Sequence, residues 1–339
     1  MSCGCYDENR KNDERMCTDN IMIKKRKTKK EPHINSLAGE NVLKCIRRDI
    51  WLYVFLAPAL IYLIVFKYTP MLGMVIGFKD YSIGKGILGS RWVGFDNFIR
   101  LFETPNFFTI LRNTLGLNVL NLIFGFPAPI ILSILINEVN CKAYKRTVQT
   151  ILYIPHFVSW VILGGIVIQL TSMTGPISVI ISKLFGTAPK SFITDPVSWV
   201  VIYIASGIWQ SVGWGTIIYL AAITNVDAQL YEAAKIDGAN KFQQILNVTL
   251  PCISGTIVTM LILRMGSMLS VGFEQIYMLQ NSAVFDVSDV ISTYEYRVGL
   301  EQRQYSITTA LSFFKGVVGL VLVFGTNAIA KKLGEGGLW

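Results

Sequence analysis

The chain has 339 residues, of which 52% are apolar and only 16% charged, with a net charge of +9 and a mean hydropathy of +0.47. A soluble chain carries about a quarter charged residues. The apolar residues arrive in long blocks, so the composition excludes an ordinary soluble globule and points to lipid as the solvent.

Residues 1–48 are polar and show no apolar period, and they read as a disordered basic cytoplasmic tail. Residues 24–48 hold Lys24, Lys25, Arg26, Lys27, Lys29, Lys30, Lys44, Arg47 and Arg48. Such a run suits nucleic acid or an anionic surface. Standing just before the first apolar block, it favours the lipid bilayer, with no nucleic acid as partner, and holds that flank in the cytoplasm. The first apolar block begins near Ile50, too late for a secretory signal, and runs past the cleavage-like Ala57-Pro58-Ala59.

A bilayer core about 30 Å thick needs about 20 apolar residues of helix. Six segments meet that length: Ile50 to Tyr68, closed by Thr69-Pro70; Thr114 to Ile136, kinked by Pro127 and Pro129; Val148 to Leu170, with Pro155 in its first turns; Trp199 to Ala222; Cys252 to Val271; and Ile307 to Ala330. Leu72 to Phe78 is apolar but too short to cross, and extends the first helix or lies at the outer interface. The expected fold is an all-α integral membrane protein with six transmembrane helices. Its first helix occupies 49–76, an extracytoplasmic loop 77–112, and a cytoplasmic C-terminal tail 331–339.

Charge supports an even number of crossings. The loop with Lys142, Lys145 and Arg146 and the end with Lys331 and Lys332 are basic, hence cytoplasmic. Residues 274–303 carry Glu274, Asp286, Asp289, Glu295 and Glu301 against Arg297 and Arg303, which suits an outer loop. The loop 77–112 is less clean, with Lys79, Lys85, Arg91, Arg100 and Arg112. In this topology Cys3, Cys5, Cys17, Cys45, Cys141 and Cys252 all fall at or near the cytoplasmic side, which suits reduced thiols. Cys3-x-Cys5 has no further Cys pair or His to complete a metal site, so no metal is expected. His33 and His156 have no catalytic partner, and His156 reads as a packed polar residue.

Between the fourth and fifth spans lies a polar stretch, 225–251. Asp227 can cap a helix, Ala228 to Ile236 are good helix formers, and Gly238 supplies the positive φ that ends it. Phe242, Ile245, Leu246 and Thr249 then recur at helical spacing, and Pro251 fits the first turn of the fifth span. Ala233 and Ala234 are small enough for a partner backbone to approach, and Glu232 and Lys235 offer it charge. On these grounds alone the stretch could equally be an amphipathic connector on the membrane surface.

The order Glu232-Ala233-Ala234, two residues, Asp237-Gly238-Ala239, then Leu250-Pro251 resembles the signature loop of type I ABC importer permeases, with Val248 where that pattern usually has Ile. The resemblance extends over 106–328 as the family's five-helix core. Phe78-Lys79-Asp80-Tyr81, Gly86-Ile87-Leu88-Gly89-Ser90, Trp92-Val93-Gly94, Tyr153-Ile154-Pro155 and Ser159-Trp160-Val161, with the end from Tyr305 through Lys315 to Asn327, are similar to the polysaccharide and oligosaccharide branch of the maltose-permease-like group. The resemblance implies a subunit of an ATP-driven importer in a bacterial cell membrane, with both termini cytoplasmic. Glu232, Ala233, Ala234, Asp237, Gly238 and Pro251 would couple it to a cytoplasmic ABC ATPase dimer. A second homologous permease and an extracellular solute-binding lipoprotein would complete it. The chain itself lacks a Gly-x-x-x-x-Gly-Lys-Ser/Thr loop, so ATP and Mg belong to the ATPase and this chain is expected to bind no cofactor and to be no enzyme.

Polar groups inside spans are costly and default to candidates for the substrate path. These are Asn118, Asn121, Gln169, Gln210, Arg264, Lys315 and Asn327, with Trp209 and Trp214 beside Gln210 as sugar-stacking faces. Each also fits helix–helix hydrogen bonding. Lys315 lies about 13 Å into its span at helical rise and reads as a structural charge or as an attractor for an acidic sugar. A non-sugar solute remains an alternative cargo. An ion-coupled transporter is disfavoured because the only acids near spans, Glu138 and Glu274, lie at their edges.

Overall fold

The computed structural model describes residues 50–334. The basic tail, with its four cysteines and His33, and the last five residues lie outside the described residues. The chain divides into two units, one ending at Pro70 and the other beginning at Met71. In the first unit, α1 (Ile50–Leu63) runs into a π turn at Ile64–Tyr68, and none of these residues is buried. The Thr69 hydroxyl donates to the Ile64 carbonyl at 2.8 Å, just where Pro70 withdraws an N–H.

Six helical runs are long and apolar enough to cross a membrane: Ile50–Phe78, Phe107–Glu138, Trp160–Phe185, Pro196–Thr224, Lys241–Gly266 and Tyr305–Lys332. The number six agrees with the apolar blocks, and several boundaries differ for physical reasons. Helical backbone continues past Tyr68 to Phe78, its last six residues as a 3₁₀ turn, before a two-stranded antiparallel pair of β1 (Lys79–Asp80) and β2 (Arg91–Trp92). The Asn97 amide ties this turn down by donating to the carbonyls of Gly77 (2.9 Å) and Lys79 (3.0 Å). Then come α2 (Asp96–Glu103) and α3 (Phe107–Leu120), so the second span starts inside the stretch expected to be loop. A π turn at Asn121–Gly125 leads to α4 (Pro127–Glu138), with Pro127 in its first turn.

The third block needs correction. Val148 to Tyr153 belong to a separate helix, α5 (Lys142–Tyr153), whose face carries Lys142, Lys145 and Arg146. Pro155 sits in a 3₁₀ turn, Val158 is extended, and the third crossing run begins only at Trp160, its first helix α6 covering Trp160–Thr171. After an extended Ser172, α7 covers Pro176–Phe185. The fourth span is one 29-residue helix, α8 (Pro196–Thr224). Asp195 caps it, accepting from Ser198 N (3.0 Å) and the Ser198 hydroxyl (2.6 Å), and these bonds hold its carboxyl below the usual carboxylate range. Next come α9 (Ala228–Ile236) and α10 (Leu250–Gly266), then α11 (Phe273–Leu279) and α12 (Tyr305–Lys332). The fifth span thus ends at Gly266, short of the expected Val271.

Residues 267–304, which include the stretch 274–303 expected to be an outer loop, supply much of the buried core of the second unit. Ile276, Leu279, Val284, Val290 and Ile291 are fully or almost fully buried. One core cluster joins Leu117, Val167, Trp199 and Tyr203 to Ile276, Leu279, Val284 and Val290, and another joins Leu101, Phe107 and Ile110 to Ile291, Tyr294, Val298 and Leu311. Around them α8 packs on α4, α12 on α10, and α6 on α11. Gly213 lets α8 pass directly over the Leu152 carbonyl of α5, where a Cβ would collide.

Broken backbone among apolar helices must find its hydrogen bonds in the protein. Asn113 donates to the carbonyls of Asp286 (2.8 Å) and Asp289 (3.0 Å). The Thr114 hydroxyl accepts from Ile291 N at 2.9 Å, and Asn118 donates to the Met268 carbonyl at 2.9 Å. From the other side Trp199 Nε1 donates to the Leu279 carbonyl (2.9 Å), and Asn281 donates to that of Ile193 (2.9 Å). The acids that looked like solvent-facing loop charges are paired internally. Asp289 meets Arg297 at 2.7 Å, and Glu295 meets Lys315 at 2.8 Å and accepts from Ser312 at 3.0 Å.

Two outcomes follow. Asn113→Ala strands the buried carbonyl of Asp289 and removes a partner from that of the exposed Asp286, and is expected to lower stability by about 1–3 kcal/mol, read as a drop in the thermal midpoint of the detergent-purified protein. An unchanged midpoint refutes the stitching role. Lys315 and Glu295 are only 19% and 21% exposed, so Lys315→Met should cost about 2 kcal/mol, between the values for surface and buried pairs. Adding Glu295→Gln should recover part of that loss, and simple additivity of the two changes would exclude the pair as a coupled unit.

Candidate functional site

Two features stand out, a projecting loop and a polar cavity, and α10 connects them. The loop begins at Asp227, whose carboxylate accepts from Gln229 N at 2.9 Å and caps α9. No residue of α9 is buried. Glu232, Ala233, Lys235, Asp237 and Gly238 are exposed, and Ile236 is 86% exposed. Gly238 has φ +81° and ends the helix as its sequence position requires. Asn240 and Gln243 then form a reciprocal capping box, with bonds of 2.8 and 2.9 Å, that starts the next helical run at Lys241.

That run does not stop before the fifth span. Lys241–Gln244 passes through a π turn at Ile245–Thr249 directly into α10, with Pro251 in the first turn of α10. Two polar contacts brace the loop on this base, and a third ties the base to α4. The Tyr231 hydroxyl meets that of Thr249 at 3.0 Å, Gln244 donates to the Ala239 carbonyl at 2.9 Å, and Lys241 pairs with Glu138 of α4 at 2.7 Å. The loop is therefore a short rigid helix held off the bundle, with Phe242 (68% exposed) and Leu246 beside it as further uncovered apolar surface. Of the residues that recur here at helical spacing, Thr249 is buried, and Phe242 and Leu246 are exposed.

The cavity has a volume of about 860 Å³ and lies among α3, α4, α8, α10 and α11. Amides of Asn118, Asn121, Gln210 and Gln275, the rings of Trp160, Tyr203, Tyr219 and Phe273, and the charged Arg264 and Glu274 line it. This mixture of aromatic faces with a few hydrogen-bonding groups is typical of small-molecule sites. The structure brings together Asn118, Asn121, Gln210 and Arg264 from the sequence candidates. It does not bring in the two tryptophans. Trp209 and Trp214 are 47% and 48% exposed and do not line the cavity. Trp214 stacks instead on His156, with ring centroids 4.7 Å apart, which accounts for His156 as a packed residue. Lys315 does not line it either, and its charge is met by Glu295. Gln169 is exposed elsewhere, and Asn327 is buried in α12. Asn118 serves two ends, since its amide also holds the Met268 carbonyl. Sequence reasoning missed Gln275, which donates to the Tyr203 carbonyl at 2.7 Å, because 274–303 read as an outer loop, and it did not single out the rings of Trp160, Tyr203, Tyr219 and Phe273 as lining. Among the described residues no cluster of His, Cys, Asp or Glu could hold a metal ion.

Comparison with known proteins agrees with this architecture. Protein LplB of Bacillus subtilis (strain 168) is 46% identical over 314 residues, covering 92% of this chain and 98% of LplB. The polygalacturonan/rhamnogalacturonan transport system permease protein YteP of the same organism is 47% identical, covering 88% and 92%. Among solved structures, a bacterial ABC transporter involved in the import of the acidic polysaccharide alginate matches with a TM-score of 0.79 and 42% identity over 86% of this chain and 99% of that one. The same type of transporter in complex with its alginate pentasaccharide-bound periplasmic protein matches with a TM-score of 0.80 and 42% identity. Residues 106–335 match the family described as the binding-protein-dependent transport system inner membrane component. With six helices able to cross the bilayer, a capped projecting helix between the fourth and fifth, and these relatives, the chain belongs to that family: it is a multi-pass permease subunit of the ABC importer type.

Proposed function

We propose that this chain forms one half of the translocation path of an ATP-driven importer, that its cargo is a fragment of a complex polysaccharide, and that an extracellular solute-binding protein delivers that cargo. The names of YteP and of the alginate transporter support the saccharide class. The alginate complex with its periplasmic protein supports the delivery step. A cytoplasmic ATPase pair and a second permease complete the assembly, with both termini of this chain on the cytoplasmic side.

The observation that carries the mechanism is the continuity of α10 with the base of the loop. α9 is a rigid, exposed handle, and its braces at Thr249 and Gln244 sit on the same helical run that carries Met260, Leu263 and Arg264 on the cavity wall. Closure of the ATPase pair on ATP displaces α9. The displacement travels along a continuous helical run of 26 residues, Lys241–Gly266, and reaches the cavity. The Lys241–Glu138 contact lets α4 move with it. Rigid-body rocking of helices around a central site is the physical content of alternating access. Such a switch needs a differential binding free energy of several kcal/mol between the two states, a scale that ATP can supply.

Glu232→Lys reverses the charge offered to the ATPase, and Gly238→Ala forces a side chain into a backbone at φ +81° at a cost of about 1 kcal/mol. Either variant is expected to insert in the membrane with its fold intact while sugar-stimulated ATP hydrolysis of the reconstituted importer falls about tenfold or more. The scale is that of a lost hydrogen bond to a charged group. Full sugar-dependent hydrolysis in a purified Gly238→Asp complex would contradict the coupling role.

A further inference from the structure

Three acids among the described residues pair closely with cations of the same chain, two of them in partly buried settings. Lys315 takes Glu295, Arg297 takes Asp289, and Lys241 takes Glu138. Arg264 is the exception on the cavity wall. It stands in the last turn of α10, is partly buried, lines the cavity, and makes no ion pair or side-chain hydrogen bond with any described residue. Glu274 lines the same cavity but does not pair with it. Being exposed, Glu274 is screened by water and ions.

An arginine inside a membrane span is costly unless it faces a water-filled cavity or meets an anion. The guanidinium fork matches a carboxylate with two parallel bonds, which an amide or hydroxyl cannot reproduce. Around it the lining offers Asn121 and Gln210 to bond hydroxyls and the rings of Trp160 and Phe273 to meet C–H faces. We propose that Arg264 is a specificity-determining residue that reads the carboxylate of an acidic sugar unit in the cavity. The inference rests on the saccharide-importer reading above and adds to it the charge class of the cargo and the residue that selects it. It also moves the role of anion attractor from Lys315, whose charge the fold consumes, to Arg264. The competing account is that Arg264 only complements the C-terminal dipole of α10.

The test compares wild type, Arg264→Gln and Arg264→Lys in proteoliposomes holding the complete importer and its binding protein. Uptake is measured for trigalacturonate and for a neutral galactose trisaccharide. Arg264→Gln should lower trigalacturonate uptake by about tenfold or more, the scale of a hydrogen bond to a charged group. Arg264→Lys should recover only part of that loss, since it restores the charge but not the two parallel bonds, and uptake of the neutral sugar should be the same in all three proteins wherever wild type carries it. Equal losses for both sugars, no loss for either, or failure of lysine to restore any uptake would overturn the inference. Wild-type uptake of the neutral sugar alone would also overturn it while leaving the saccharide importer intact. Uptake of neither sugar, with ATP hydrolysis unresponsive to any loaded binding protein, would instead remove the underlying importer reading.

Discussion

Broken backbone surrounded by apolar helices persists only when each freed N–H and C=O finds a partner in the protein. In this permease the constraint falls on residues 267–304, which leave α10 and return through short helices to α12. One side of α3, through Asn113, Thr114 and Asn118, supplies partners for Asp286, Asp289, Ile291 and Met268. Trp199 and Asn281 do the same between α8, its approach segment and 279–281. With those bonds made, the segment buries its apolar side chains and becomes the centre on which the crossing helices pack. It also shapes one wall of the cavity through Ser267, Ser270 and Gln275.

Much of this was legible in the chain itself, for reasons that can be named. Long apolar runs fix the six crossings because length in lipid is a strict requirement. Asp227, Gly238 and Pro251 mark the ends of α9 and the start of α10 because capping, positive φ and a missing N–H each demand a particular residue type. The packed centre was not legible. Its acids, Asp289 and Glu295, look solvent-facing in one dimension, and only the fold reveals Arg297 and Lys315 opposite them. The four-residue spacing of Thr114 and Asn118, one residue beyond Asn113, was an available signal of a polar helix face. The break after Tyr153 was hidden for another reason. Apolar composition continues across Pro155, so hydropathy reads one span where the backbone makes two helices.

The cavity illustrates a separate limit. Proximity along the chain placed Trp209, Gln210 and Trp214 together, but neighbours on a helix face different surroundings, and of the three only Gln210 meets the cavity. Trp214 stacks on His156, and Trp209 stays on the exposed surface. Charges inside spans likewise divide by partner: Lys315 is a structural pair, while Arg264 remains on the cavity wall.

α10 then unites these parts. One end is continuous with the base of the exposed loop helix, and the other carries cavity residues; in the proposed mechanism this helix is where force and cargo meet. The account stands or falls on what holds α9. The direct measurement is disulfide cross-linking from a single cysteine introduced by Ala233→Cys, in a background without the native cysteines, together with labelling by a membrane-impermeant thiol reagent in intact cells. The account predicts a cross-link to the ATPase subunit that blocks sugar-dependent ATP hydrolysis, and no labelling from outside. Labelling from the cell exterior, or cross-links only to other partners while transport continues, would contradict it.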